Sequence, residues 1–181
     1  MRRDAKKIPT ETKIIDNFIE LMRNQPYQKI SVSELSKAAG ISRITFYTYY
    51  KGIDDLYNQV TEKVVQHIDE ILRFSYVSKG VVNYQLLEKN LFNYFQKDHS
   101  VQVLINNDQT AVLRTKIKQT LVNTVMEHEE ISPDDYFSHV QIPFLISGAI
   151  NVYVDFLNGD LGNVDTKQLM DSLNKILEEL S

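Results

Sequence analysis

Ser31-Val32-Ser33-Glu34-Leu35-Ser36-Lys37-Ala38-Ala39-Gly40-Ile41-Ser42-Arg43-Ile44-Thr45-Phe46-Tyr47-Thr48-Tyr49-Tyr50-Lys51 reads as two short helices joined by a tight turn. Ser31 is placed to cap the first helix, with Glu34 three residues on completing a reciprocal capping box. Val32, Leu35 and Ala39 share one face, and Ala38 leaves room for a crossing helix. Gly40 supplies the left-handed residue that ends this helix, a conformation that a Cβ resists. Ile41 then plugs the corner and Ser42 caps a second helix, predicted over Ser42 to Tyr49. Such spacing predicts a helix-turn-helix.

The second helix sends Phe46 and, four residues on, Tyr50 toward the core. Its other face offers Arg43, Thr45, Tyr47, Thr48 and Tyr49. A cation, hydroxyls and phenols hydrogen-bond phosphate oxygens and base edges, while Ile44 or the Thr methyls suit a thymine methyl. This is the helix expected in a major groove.

From about Thr12 to Val60 the pattern resembles the N-terminal domain of the tetracycline-repressor (TetR) family of bacterial transcription regulators. The likeness lies in an apolar first helix ending before Pro26-Tyr27, in Ser31-Val32-x-x-Leu35, in Ala39-Gly40-Ile41-Ser42, in Thr45-Phe46-Tyr47-x-Tyr49-Tyr50-Lys51, and in Leu56. Two positions depart from the family pattern. Pro26 stands where Gly is usual, and Ile53 stands where a Lys often opens the fourth helix, which removes one phosphate contact and shifts weight to Lys51 and the N-terminal arm.

The resemblance implies an all-α protein. An N-terminal three-helix helix-turn-helix DNA-binding domain with a basic arm would occupy residues 1–52, and a C-terminal helical ligand-binding and dimerisation domain residues 53–181. It further implies a homodimeric repressor on a pseudo-palindromic operator of double-stranded DNA, released when a small-molecule inducer binds the body. Ser42, Arg43, Thr45 and Tyr47 would then lie nearest the bases, with Ser31, Thr48, Tyr49 and Lys51 holding the backbone. The alternative is a helical dimer that regulates through a protein partner, or an activator without a small-molecule inducer.

Composition is that of an ordinary globular chain, 43% hydrophobic and 24% charged over 181 residues. No apolar run approaches the ~20 residues of a membrane span, and Met1-Arg2-Arg3-Asp4 lacks a signal-peptide core, so a cytoplasmic protein is expected. With no cysteine, disulfides and thiolate metal sites are excluded. The net charge of −4 is unevenly spread: ten Lys/Arg face five Asp/Glu through Lys51, and ten face nineteen thereafter. A basic end on an acidic body orients toward a polyanion, although chains of this size also fluctuate by a few charges. Arg2, Arg3, Lys6 and Lys7 form either a phosphate-contacting arm or a solvated terminus.

Periodicity predicts helices over Thr10 to Asn24, from Asp54 or Asp55 to Tyr76, Val82 to Gln96, Val101 to Asn106, Thr110 to His128, Pro133 to Asn158, and a last one opened by Asp165 with Gln168. No strand pattern is evident. The Pro133 helix is apolar on more than one face and contains Pro143, which should bend it. Ile146, Ala149, Ile150, Tyr153, Leu169, Leu173 and Ile176 are candidates for a dimer interface; burial inside one domain is the plainer alternative.

The body's aromatics either line a ligand cavity or form simple core. Phe92, Phe95, His99, Arg114, His139 and Phe144 are the candidate ligand residues. His67, His99, His128 and His139 lack metal-ligand spacing, and no phosphate loop, nucleophile elbow or carboxylate pair is present, so neither metal, cofactor nor enzymatic activity is expected.

Overall fold

The computed structural model describes residues 9–78, 81–107 and 111–180. It divides into two compact units, Met1–Val64 and Val65–Ser181, and the division falls inside one long helix. The basic arm expected at residues 2 to 7 lies outside the described residues.

The first unit contains α1 (Thr10–Met22), a 3-10 turn (Tyr27–Lys29), α2 (Val32–Ala38), α3 (Arg43–Tyr47) and the start of α4 (Ile53–Ser75). On α1, Ile14, Phe18, Ile19 and Met22 are buried at helical spacing. The helix stops two residues before the expected Asn24, because the Arg23 and Asn24 amides bond back three residues to Glu20 and Leu21 and tighten the last turn. Pro26 is extended (φ −57°, ψ 142°) and leads into the 3-10 turn. There the Tyr27 ring stacks on Tyr57 of α4 with centroids 3.8 Å apart and planes 4° from parallel. Ile30, Leu35, Ala39, Phe46, Tyr50, Leu56 and Val60 complete this core. Burying such side chains fully stabilises the fold by about 1.5–3 kcal/mol each. Ala38, expected at the helix crossing, is exposed; Ser36, on the same side as Leu35 and Ala39, is buried instead.

In the second unit, α4 continues with Val65, Ile68, Ile71 and Leu72 buried. Near its end Ser75 donates its hydroxyl to the Ile71 carbonyl at 2.7 Å. A hairpin follows where no strand was expected: β1 (Tyr76–Ser78) pairs antiparallel with β2 (Val81–Val82). Strands of three and two residues are too short for alternation to register in a sequence. The remaining elements are α5 (Tyr84–Lys97), α6 (His99–Asn106), α7 (Val112–His128), α8 (Tyr136–Asn158) and α9 (Thr166–Leu180). Asn83 and Asp98 set the starts of α5 and α6 by accepting from the Leu86 and Ser100 amides. Fully buried Val101, Leu104 and Leu113 anchor α6 and α7 in this core.

A polar cluster joins α4 to α7. Arg73 donates to Asp69 at 2.8 Å, to Glu127 at 3.0 Å and to Thr124 at 3.1 Å, while the buried Thr124 hydroxyl also bonds Asp69.

The helix expected from Pro133 begins at Tyr136 instead. Ser132 to Asp134 form a turn, and Asp135 is the cap: the Ser138 amide and hydroxyl donate to its carboxylate at 3.1 and 2.6 Å. At α9 the expected reciprocal cap is present, with Asp165 N–H on Gln168 at 3.0 Å and Gln168 N–H on Asp165 at 2.8 Å.

No described residue of α8 is fully buried. Tyr136, Phe137, Val140 and Phe144 are each more than 70% exposed, so the second apolar face expected for this helix is open. By length and composition α8 could also cross a membrane. That corrects the expectation that no apolar stretch is long enough: isolated polar residues such as His139 and Gln141 break the run in the sequence without lowering the helix's average below that of a span.

Candidate functional site

The Ser31–Lys51 stretch folds as its punctuation requires. Ser31 Oγ accepts the Glu34 amide at 3.1 Å while Glu34 accepts the Ser31 amide at 3.4 Å, and Gln25 donates to the same carboxylate at 3.0 Å. Gly40 has φ +65°, and the Ile41 amide reaches back to the Ser36 carbonyl at 2.9 Å, closing α2 with a left-handed cap. Ser42 opens α3, accepting the Thr45 amide at 3.0 Å and pairing with the Thr45 hydroxyl at 2.9 Å.

Burial orients α3. Phe46 (0% exposed) and Tyr50 (3%) fix one side in the core. Burial, reinforced by the charge of Glu11, pushes the Tyr50 hydroxyl up to about 12, so it stays protonated at physiological pH. The opposite side presents Ser42, Arg43, Ile44, Tyr47, Thr48, Tyr49 and Lys51, all exposed, with Thr45 half-buried. The helix is shorter than the expected Ser42 to Tyr49, since the chain tightens after Tyr47, where Tyr49 N–H bonds Phe46 O at 3.0 Å. Thr48 donates its hydroxyl to the Thr45 carbonyl at 2.6 Å, leaving its methyl and lone pairs for other contacts.

Lys51 sits between α3 and α4. Its amide donates to Asp55 at 2.7 Å, and Gln59 holds the same carboxylate at 3.2 Å. These bonds, the Lys51 amide first, hold the Asp55 carboxyl below its ordinary range. Asp55 was legible only as one of two possible helix starts; its hold on Lys51 comes from the turn at Gly52, which sequence spacing does not specify. Lys37, exposed at the end of α2, is a further cation of this unit that the motif pattern did not single out.

The candidate ligand residues are not gathered into one cavity. Phe95 is buried against Tyr153, centroids 4.8 Å apart, and Phe92 is half-buried. His99 is exposed at the start of α6, and exposed His139 has its ring nitrogen 3.2 Å from the Ser132 carbonyl. Phe144 is 74% exposed. Arg114 lines an open groove of about 340 Å³ with Ala111, Thr115, Lys118, Ser147, Ile150 and Asn151. The candidate interface residues differ in exposure. Ile146, Ile150 and Leu173 are half-buried, Ala149 and Ile176 are exposed, and Leu169 is buried. Half-buried Tyr153 packs on Phe95 and Phe156, and burial pushes its hydroxyl up to about 12. Among the described residues no group of His, Cys, Asp and Glu could hold a metal ion.

A capped helix pair whose second helix is seated in the core by Phe46 and Tyr50 is a helix-turn-helix. Residues 14–60 match the family model described as bacterial regulatory proteins, tetR family. Over 151 residues, covering 80% of this chain and 78% of the relative, the sequence is 28% identical to the biofilm operon icaADBC negative transcriptional regulator IcaR of Staphylococcus epidermidis. It is also 27% identical to the dhaKLM operon transcriptional activator DhaS of Lactococcus lactis, over 50% of this chain and 56% of that one. A solved transcriptional regulator from Aquifex aeolicus VF5 shares the fold at 18% identity, with a TM-score of 0.67 over 96% of this chain and 100% of that one. Residues 14–60 are thus matched to the tetR family of bacterial regulatory proteins, and over most of its length the chain is similar to transcriptional regulators, in a family whose members bind DNA and act as dimers.

Proposed function

We propose that the protein is a homodimeric repressor whose two α3 helices enter successive major grooves of a pseudo-palindromic operator, and that a small molecule releases it. The observation that carries this reading is the outward face of α3, where Arg43, Ile44, Tyr47 and Thr48 stand exposed on a helix anchored by buried Phe46. In this reading Ser42, Arg43, Ile44, Thr45 and Tyr47 face bases or adjacent phosphates, while Ser31, Thr48, Tyr49 and Lys51 hold the backbone. The DNA-binding head takes in, beyond the expected residues 1–52, the first turns of α4, whose buried Leu56 and Val60 belong to the core of Met1–Val64; Val65–Ser181 act as the regulatory body, and the protein works in the cytoplasm.

The second copy belongs on α8. Phe137, Val140, Phe144 and Gly148 follow one another at i, i+3, i+7 and i+11, forming a stripe that a monomer would leave in water. Half-sites then lie roughly 34–36 Å apart, one helical turn of DNA. The groove lined by Arg114 and Lys118 is where a small molecule would act, by binding better when the heads are wrongly spaced. Repression follows the negative regulator, whose likeness extends over more of the chain; activation, the second reading, follows DhaS.

The test is selection from a random duplex library at ~150 mM salt, which screens non-specific attraction, with Tyr47→Ala beside the parent. A palindromic motif bound by the parent and lost by the variant supports the reading. A well-folded dimer that enriches no motif contradicts it.

A further inference from the structure

We infer that Ile44 is a specificity-determining residue that reads the C5-methyl of a thymine in each operator half-site. The inference rests on the proposal that α3 enters the major groove, and names what that helix reads there.

Ile44 is 80% exposed, the highest exposure among the large hydrophobic residues described. At 3.6 residues per turn it lies with Thr48 on the side of α3 away from Phe46 and Tyr50, so it stands at the centre of the outward face rather than at its edge. Its polar neighbours are partly committed. The Ser42 and Thr45 hydroxyls pair with one another, and the Thr48 hydroxyl donates to Thr45 O. What the face offers outward at its centre is therefore an aliphatic group, flanked by the donors of Arg43 and Tyr47.

The edges of base pairs in the major groove present donors, acceptors and a single apolar group, the thymine methyl. An aliphatic side chain there is matched by that methyl and mismatched by cytosine, which bears hydrogen at C5. Ile is also β-branched, so its χ1 is largely fixed on a helix, and the side chain is already in position before DNA arrives. Little rotamer freedom remains to be lost on binding.

The experiment replaces the thymines of the selected operator one at a time, in both half-sites, by deoxyuridine, which removes the methyl and leaves every hydrogen-bonding group. Binding of the parent and of Ile44→Ala is measured on each duplex. Burial of one methyl group corresponds to about a fourfold change in affinity. One thymine per half-site is expected to show that loss with the parent, about fifteenfold when both are replaced. Ile44→Ala should bind the thymine operator more weakly and be indifferent to the same replacement; its circular dichroism should match the parent, since Ala favours the helix. A parent indifferent to every replacement, or an Ala variant with undiminished methyl dependence, overturns the inference while leaving DNA recognition intact. Failure of the selection to yield any operator overturns both.

Discussion

The main-chain amide of Lys51 donates to the Asp55 carboxylate at 2.7 Å, and this bond joins the end of the Ser31–Lys51 stretch to the first turn of α4. The carboxylate also accepts from Gln59 at 3.2 Å, so one residue in the first turn of α4 fixes the backbone that carries the Lys51 cation. A phosphate contact from Lys51 would depend on this bond as much as on its own charge.

Asp55→Asn should speed hydrogen exchange at the Lys51 amide. The hold of that amide keeps the Asp55 carboxyl below its ordinary value, and a carboxyl lowered on folding contributes stability above its unfolded pKa and loses it as pH falls through the folded one. In the parent, Lys51 protection should therefore be level from neutral pH to about pH 5 and decline below about pH 4. In the variant that acid-dependent decline should be absent. Identical profiles would remove Asp55 from this role.

Two substitutions in the motif separate packing from backbone. Phe46 is fully buried, and Phe46→Ala should cost about 3–5 kcal/mol in denaturant unfolding. Gly40 has φ +65° with open space where a Cβ would stand, so Gly40→Ala meets no clash and should cost only the left-handed strain, about 1–2 kcal/mol. If both cost the same, the division between core and turn is wrong.

Thr124 is 1% exposed, and its hydroxyl bridges Asp69 and Arg73. Thr124→Val keeps the volume but strips both bonds, and should destabilise the protein by about 1–3 kcal/mol. Unchanged stability in thermal or urea unfolding would make this cluster incidental.

How much was legible in the sequence follows from how local the signals are. Ser31 with Glu34, Gly40, Ser42, and Asp165 with Gln168 act over three or four residues, and each capping or turning role is present. Phe46 and Tyr50 likewise fall on the buried side that their spacing implies. The hairpin at Tyr76–Val82 escaped because two pairs of residues carry no periodicity. Pro133 reads in the sequence as the first residue of a helix that Asp135 caps, since Ser132 and Asp135 offer competing starts and the turn between them is a local choice. Aromatic content could not say which rings meet: Phe95 packs on Tyr153, whereas Phe144 points outward from the same long helix that holds Tyr153. Those pairings depend on helix rotation, which an apolar helix leaves underdetermined in sequence.

The most direct measurement of the central claim is the salt dependence of binding to the selected operator and to a scrambled duplex, by fluorescence anisotropy, for the parent, Arg43→Ala and Lys51→Ala. Lys51→Ala should weaken both duplexes alike and reduce the salt slope by about one, as loss of a phosphate contact does. Arg43→Ala should narrow the gap between operator and scrambled duplex by about 1–3 kcal/mol, as loss of a base contact does. Salt slopes and operator preference unchanged from the parent in both variants would contradict DNA recognition by this face.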